Sequence, residues 1–220
     1  MANELWLYGV IGASSFGEDG WVGPLQVRDD MAKLDKKQPI TLRINSPGGI
    51  VNDAVAIRSL LSQWEKGFDV MVDGVAASAA SFLAACGGKV TMARGARLML
   101  HNPYGGLIGG SKDFRKYADE LDALRIMLAE AYAEKASAPI SKILDIMDEE
   151  TWFSDAAAVE FGLADERVDM QAKACDRLGE FGYKHTPSEL MSDDTVSSTI
   201  QQDMSRAAAL HRRIELARVR

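Results

Sequence analysis

The chain is poor in the residues that build metal clusters and cross-links: 220 residues contain two cysteines and three histidines. Cys86 and Cys175 share no CxxC spacing and no neighbouring histidine pair, so neither a metal site nor a disulfide framework is expected. Cys86, set among alanines, reads as a buried small apolar residue, and a reducing cytoplasm fits this usage. An excess of basic charge is also missing. The formal net charge is -7 and the pI near 5.1, which argues against nucleic acid as the main partner. Long apolar runs are absent: the longest, at 70–85, is broken by Asp73 and Gly74 and is too short to span a bilayer. Met1-Ala2-Asn3-Glu4 carries an early acid and no basic n-region, so no secretory signal is expected either. These absences point to a soluble cytoplasmic protein that needs no cofactor.

What is present is a core-forming composition, 47% apolar, in a chain long enough for one good core. Strand and helix patterns alternate, which favours an α/β domain with mostly parallel strands and right-handed crossovers. A first strand is predicted over 5–10, a glycine-rich loop over 11–23, and a helix from Pro24 to about Lys36. A second strand over 40–44 is closed by Ser46-Pro47-Gly48-Gly49, and apolar residues then recur at helical spacing over 50–64. The longest helical pattern carries Phe114, Tyr117, Leu121, Leu124, Leu128 and Ala131 in a narrow stripe. That stripe suits either an ordinary helix lying on its own domain or a helix that packs against another subunit. A compositional change near Ala172 divides the chain into a catalytic-type domain, 1–171, and a linker with a basic amphipathic tail, 172–220.

Three segments carry the chemistry. Val70 to Val72 read as a strand that passes through Gly74 into a sharp turn carrying the Ser78 hydroxyl, with a helix from Ala79 to about Ala85. Such a turn can hold a serine hydroxyl clear of the backbone beside the first free amides of a helix. Serine is also a common N-cap, so the segment alone does not decide the matter. Ser81, three residues on, is expected to bond a preceding carbonyl rather than act as nucleophile. A serine needs a base to take its proton. His185 and His211 fall in the linker and tail, which leaves His101, at a strand end before a glycine-rich loop. Gly48-Gly49 can turn backbone amides outward, and the Ala79 amide supplies a second donor for a tetrahedral oxyanion.

Asn45-Ser46-Pro47-Gly48-Gly49, Gly74-Val75-Ala76-Ala77-Ser78-Ala79, Met99-Leu100-His101-Asn102-Pro103 and Ala158-Val159-Glu160-Phe161-Gly162-Leu163-Ala164-Asp165 stand in an order and spacing that resemble the Clp proteolytic subunit. The resemblance implies a crotonase-like α/β spiral of strand–helix units with a projecting handle helix. It also implies a homo-oligomeric heptameric ring, often stacked in pairs, and polypeptide substrates. By this likeness Ser78 is the nucleophile, His101 the base, and Gly49 and Ala79 the oxyanion donors. The family's acid belongs to an Asp-Arg-Phe stretch; the matching position carries Glu150, with Asp148 as a rival. The early first strand, Glu150-Thr151-Trp152 and the added tail resemble Clp-related head-maturation proteases of tailed phages, which implies scaffold or capsid proteins as substrates. Whether an ATPase unfoldase takes part stays open. Two other readings compete: an acyl-CoA enzyme of crotonase type, which has no need of a serine–histidine pair, and a catalytically silent shell protein on the same fold.

Overall fold

The computed structural model describes residues 3–12 and 20–190. Its first compact unit, Met1–Asp176, is built on a seven-stranded sheet. The strands are β1 (Glu4–Tyr8), β4 (Ile40–Ser46), β5 (Phe68–Ala77), β6 (Val90–Arg94), β7 (Arg97–Leu100), β8 (Thr151–Ser154) and β9 (Glu166–Gln171). Two short strands, β2 (Val10–Ile11) and β3 (Trp21–Val22), form a separate parallel pair. The helices are α1 (Pro24–Met31), α2 (Val51–Ser62), α3 (Ala79–Ala85), α4 (Ser111–Ala136), α5 (Ile140–Asp148) and α6 (Asp155–Phe161).

Strands β1, β4, β5, β6 and β9 run parallel in that order. β5 reads as an apolar run interrupted at Asp69 and Asp73, as a central parallel strand covered on both faces does, whereas β4 alternates, with Thr41 and Arg43 half-buried between Ile40, Leu42 and Ile44. Ile40, Leu42, Ile44, Val72, Val75 and Ala76 are fully buried, and Ala54, Ile57 and Leu61 of α2 join them in one core. At its far end β5 leaves β6 and pairs instead with β7, which in turn pairs with β8. The β7–β8 pair is antiparallel, a departure from the parallel rule, and β8 has no counterpart in the sequence reading. Four residues are too few for a periodic signal; β8 exists because β7 offers an open edge.

The strand predicted over Val70 to Val72 is longer: β5 continues unbroken through Asp73 and Gly74 to Ala77, and the chain bends at Ser78 into α3, Ala79–Ala85, as the sequence predicts. Asp73 is tolerated inside the strand, with no exposed surface, because its carboxylate is fully engaged. The Arg43 guanidinium grips both carboxylate oxygens, its Nε at 2.8 Å, and the Tyr8 hydroxyl donates at 2.7 Å. The register beside it shifts: Ile44 pairs with Val72, but Ser46 pairs with Ala76. Asn45 fills that irregularity, its Oδ1 accepting from the Val75 amide at 3.0 Å and its Nδ2 donating to the Ala174 carbonyl at 2.6 Å. Gly74 is the residue that fits there, since an added Cβ would lie 2.5 Å from Asn45 Oδ1.

The strand predicted over 5–10 breaks after Tyr8, Val10 pairing in β2 instead; the stretch predicted as a loop from residue 11 holds the end of β2 and all of β3, and Ile11 forms a parallel bridge with Gly49. α2, Val51–Ser62, is three residues shorter than the predicted 50–64. α4 packs by its C-terminal half, where Leu128, Ala129 and Tyr132 are buried, against α3 and α5. Most of its first half is exposed; along the stripe Phe114 is 52% exposed, Tyr117, Leu121, Leu124 and Ala131 are half-buried, and Leu128 is buried. Past β9 the backbone stays attached: the Ala172 amide donates to Arg94 O at 2.9 Å and the Lys173 amide to Asp73 O at 2.7 Å.

The second unit begins at Arg177. Its described part holds two short 3-10 turns, Leu178–Phe181 and Ser188–Leu190, and an ion pair between Arg177 and Glu180 at 2.9 Å. The basic amphipathic end of the predicted tail, past residue 190, lies outside the described residues. No helix among the described residues is long and apolar enough to cross a membrane.

Candidate active site

Ser78 joins β5 to α3 at φ 55 and ψ -122, a conformation that a non-glycine residue adopts only when its surroundings impose it. They do so here with small residues. Ala76, Ala77, Ala79 and Ala80 are buried around the bend, and the Ser78 amide donates to Met99 O on β7 at 3.0 Å. The parallel β5–β7 register pairs Ala77 with Met99. The chain beyond each strand end then carries Ser78 and His101 to one place, with Ser78 Oγ and His101 Nε2 separated by 2.7 Å.

Burial pushes the His101 imidazole down from its ordinary 6.5 to about 4, against the opposing pull of the Glu150 charge. The ring is thus neutral at pH 7, and an unprotonated Nε2 can accept the Ser78 proton. The edge of Tyr104 stands against the imidazole, with ring centroids 5.6 Å apart at 65°.

The antiparallel register of β7 and β8 determines which carboxylate stands beside His101. Leu100 pairs with Thr151, so the next residue after β7 and the last before β8, His101 and Glu150, face each other. Glu150 is 8% exposed and sits at φ 50, a second left-handed non-glycine residue in the same site. Asp148 goes elsewhere. It is largely exposed and accepts from Asn102 Nδ2 at 2.7 Å and Arg125 Nη2 at 2.7 Å, while Arg125 Nε donates to Asn102 Oδ1 at 3.0 Å. The Asn102 hydrogen bond and then the Arg125 charge hold the Asp148 carboxyl below its usual range.

Gly48 and Gly49 adopt φ 101 and φ 147. In the bridge to this turn, Ile11 exchanges hydrogen bonds with Gly48 O and the Ile50 amide, each 2.8 Å, which leaves the Gly49 amide outside the ladder. Gly48 lies directly on the serine bend: an added Cβ would be 2.8 Å from Ser78 Cβ and 3.3 Å from the Ala79 nitrogen. The Ala79 amide, at the first position of α3, has no acceptor within the helix. The glycine turn and the helix start therefore meet at the nucleophile-bearing bend. Ser81 is fully buried and points away from this opening, its hydroxyl 2.7 Å from Ser78 O, as expected of a backbone-bonding serine. Among the described residues no group of His, Cys, Asp or Glu is gathered closely enough to hold a metal ion.

Sequence reasoning missed Tyr104, Tyr132, Asn102 and Arg125 as neighbours of the site. Only Asn102 and Tyr104 carried a signal, their closeness to His101 in the chain; Arg125 and Tyr132 arrive through the packing of α4.

Comparison with known proteins matches residues 27–171 to the family described as Clp protease. The chain is 34% identical over 137 residues to the ATP-dependent Clp protease proteolytic subunit 2 of Parasynechococcus marenigrum, covering 61% of this chain and 70% of that protein. It is 33% identical to the proteolytic subunit 1 of Synechococcus sp. over the same length, with the same 61% and 70% coverage. The proteolytic subunit 1 of Prochlorococcus marinus strain MIT 9312 is 34% identical, again at 61% and 70%.

Proposed function

Because the chain belongs to the Clp protease family and is a serine peptidase of the proteolytic-subunit type, we propose that Ser78, His101 and Glu150 carry the reaction, with the Gly49 and Ala79 amides as oxyanion donors. The observation that supports this most is the 2.7 Å contact between His101 Nε2 and Ser78 Oγ at a strained bend. His101 takes the hydroxyl proton through Nε2 as Ser78 attacks the scissile carbonyl. Glu150 keeps the proton of the neutral ring on Nδ1 and stabilises the imidazolium that forms. The two amides receive the charge on the carbonyl oxygen, where one lost donor costs about 10²–10³ in rate. The imidazolium then protonates the leaving amine, and water repeats the sequence on the acyl-enzyme.

The substrate is a polypeptide. We assign it to the scaffold or capsid proteins of a phage head, on the resemblance of Glu150-Thr151-Trp152 to the corresponding stretch of Clp-related head-maturation proteases. The working form is a homo-oligomeric ring, a heptamer or stacked heptamers, that uses the exposed first half of α4 as its handle. A crotonase-type acyl-CoA activity finds no support in a hydroxyl paired with an imidazole.

A fluorophosphonate probe should label the wild-type protein at Ser78, and Ser78→Ala should lose both labelling and peptide hydrolysis while keeping its fold. Retained hydrolysis in Ser78→Ala would end this reading. For the substrate, co-expression with phage head proteins followed by mass spectrometry should give fragments present with wild type and absent with Ser78→Ala. Identical fragment sets from the two would refute the phage assignment and leave the peptidase intact. Changing Leu121 and Leu124 to glutamate should lower particle mass in light scattering, and an unchanged mass would overturn the handle role.

A further inference from the structure

Behind the site lies a buried polar pair that the reaction does not use. Ser81 Oγ is 2.7 Å from the Ser78 carbonyl and 2.7 Å from the Met99 carbonyl, and the Tyr132 hydroxyl lies 2.8 Å from the same Oγ. Tyr132 comes from α4, 51 residues away in sequence, and is 1% exposed. Carbonyls only accept and Ser81 has one proton, so with that proton directed at the carbonyls the Ser81 oxygen accepts from Tyr132. Burial pushes the Tyr132 phenol above its ordinary range, which keeps it a donor.

The two carbonyls that Ser81 holds are those that govern the site. One is the carbonyl of Ser78 itself. The other, Met99 O, also accepts from the Ser78 amide at 3.0 Å and lies two residues before His101. A single hydroxyl thus ties the backbone of the serine bend to the strand that delivers the histidine. The Tyr132 hydroxyl also reaches the Ser78 carbonyl, at 3.4 Å. Neither residue touches the opening where a substrate carbonyl would sit. Two neutral hydroxyls in a space that alanine and phenylalanine would fill cost desolvation, so a purely packing role does not account for them.

We propose that Ser81 and Tyr132 are positioning residues, a hydroxyl relay from α4 that holds Ser78 in its left-handed conformation and sets its distance to His101. The relay acts through the backbone and rests on the assignment of Ser78 as nucleophile.

The test uses the full-length chain as Tyr132→Phe, Ser81→Ala and the double variant, each with Ser78→Ala as reference. Tyr132→Phe removes one oxygen and keeps the ring. Expected for each single variant is a loss of roughly 10- to 100-fold in kcat and in fluorophosphonate labelling rate, as for a small misplacement of reacting groups. KM and the acid limb of the pH profile stay where they are. The double variant should be no slower than the worse single one, because the relay is already broken, and it should regain thermal stability relative to the singles, since no buried hydroxyl is left unpaired. A merely structural pair moves the melting temperature and leaves kcat and labelling unchanged. Folded Tyr132→Phe that labels within about twofold of wild type would overturn the relay. If that variant does not fold, Ser81→Ala decides by the same two readings. Activity retained in Ser78→Ala would instead overturn the nucleophile assignment, a distinct outcome.

Discussion

Replacing Glu150 by glutamine keeps the size of the side chain and removes its charge. In the wild type, burial holds His101 at about 4 while the Glu150 charge pulls it upward from a still lower value. The acid limb of kcat/KM reports this ionisation in the free enzyme, because only the neutral imidazole accepts the Ser78 proton. The limb is therefore expected near pH 4, well below the ordinary histidine value of 6.5. In Glu150→Gln the supporting charge is gone, so the limb moves to still lower pH. At the same time the plateau falls by on the order of 10⁴, because an amide neither enforces the tautomer nor stabilises the imidazolium. The variant is thus slower at every pH yet less sensitive to acid. The same ionisation bears on stability. The folded value is depressed below the unfolded one, so the contribution is complete above 6.5 and is lost as pH falls toward 4, a change of about 3 kcal/mol. Fluorogenic peptide hydrolysis across the acid range, with near-UV circular dichroism at each pH, separates loss of the base from loss of the fold. A wild-type limb at 6.5, or a glutamine variant with an unchanged plateau and limb, would refute the reasoning. Asp148→Asn is the control. Its carboxylate is bound to Asn102 and Arg125 at an exposed position, so its loss should cost less than about 1 kcal/mol in stability and little in rate. A steep fall in that variant instead would place the acid two residues earlier.

Gly48→Ala should abolish labelling and hydrolysis, since its Cβ would lie 2.7 Å from Ala77 O, 2.8 Å from Ser78 Cβ and 3.3 Å from the Ala79 amide; wild-type labelling of a folded Gly48→Ala would show that the turn does not close on the serine. Asp73→Ala leaves Arg43 with Glu4 as its remaining carboxylate and should lower the unfolding free energy by about 3 kcal/mol in urea titration, with labelling of the surviving folded protein unchanged. A loss below about 1 kcal/mol would mean that Glu4 alone compensates the Arg43 charge.

Most of the site is local and could be read before folding. A serine among alanines after an apolar strand, two glycines after a second strand and a histidine at the end of a third each declare themselves within about a dozen residues, because the constraint in each case is steric and acts on neighbours. Boundaries were harder. The strand before the serine reads as ending at Val72, because a charged residue beside glycine breaks a strand pattern in isolation. Only Arg43 and Tyr8, brought across from β4 and β1, make a carboxylate acceptable in the middle of a strand.

By itself the sequence determined the strand–helix rhythm, the serine bend, the glycine turn, the single histidine of the domain and the stripe of α4. These depend on periodicity and on which backbone angles a residue permits. The tertiary structure alone decided which carboxylate faces His101, since a register between β7 and β8 is a pairing of distant segments and a shift of one residue turns every side chain to the other face. It also decided what Ser81 bonds, because its hydroxyl partner arrives on α4, and a hydrogen bond across 51 residues leaves no trace in the spacing of either partner.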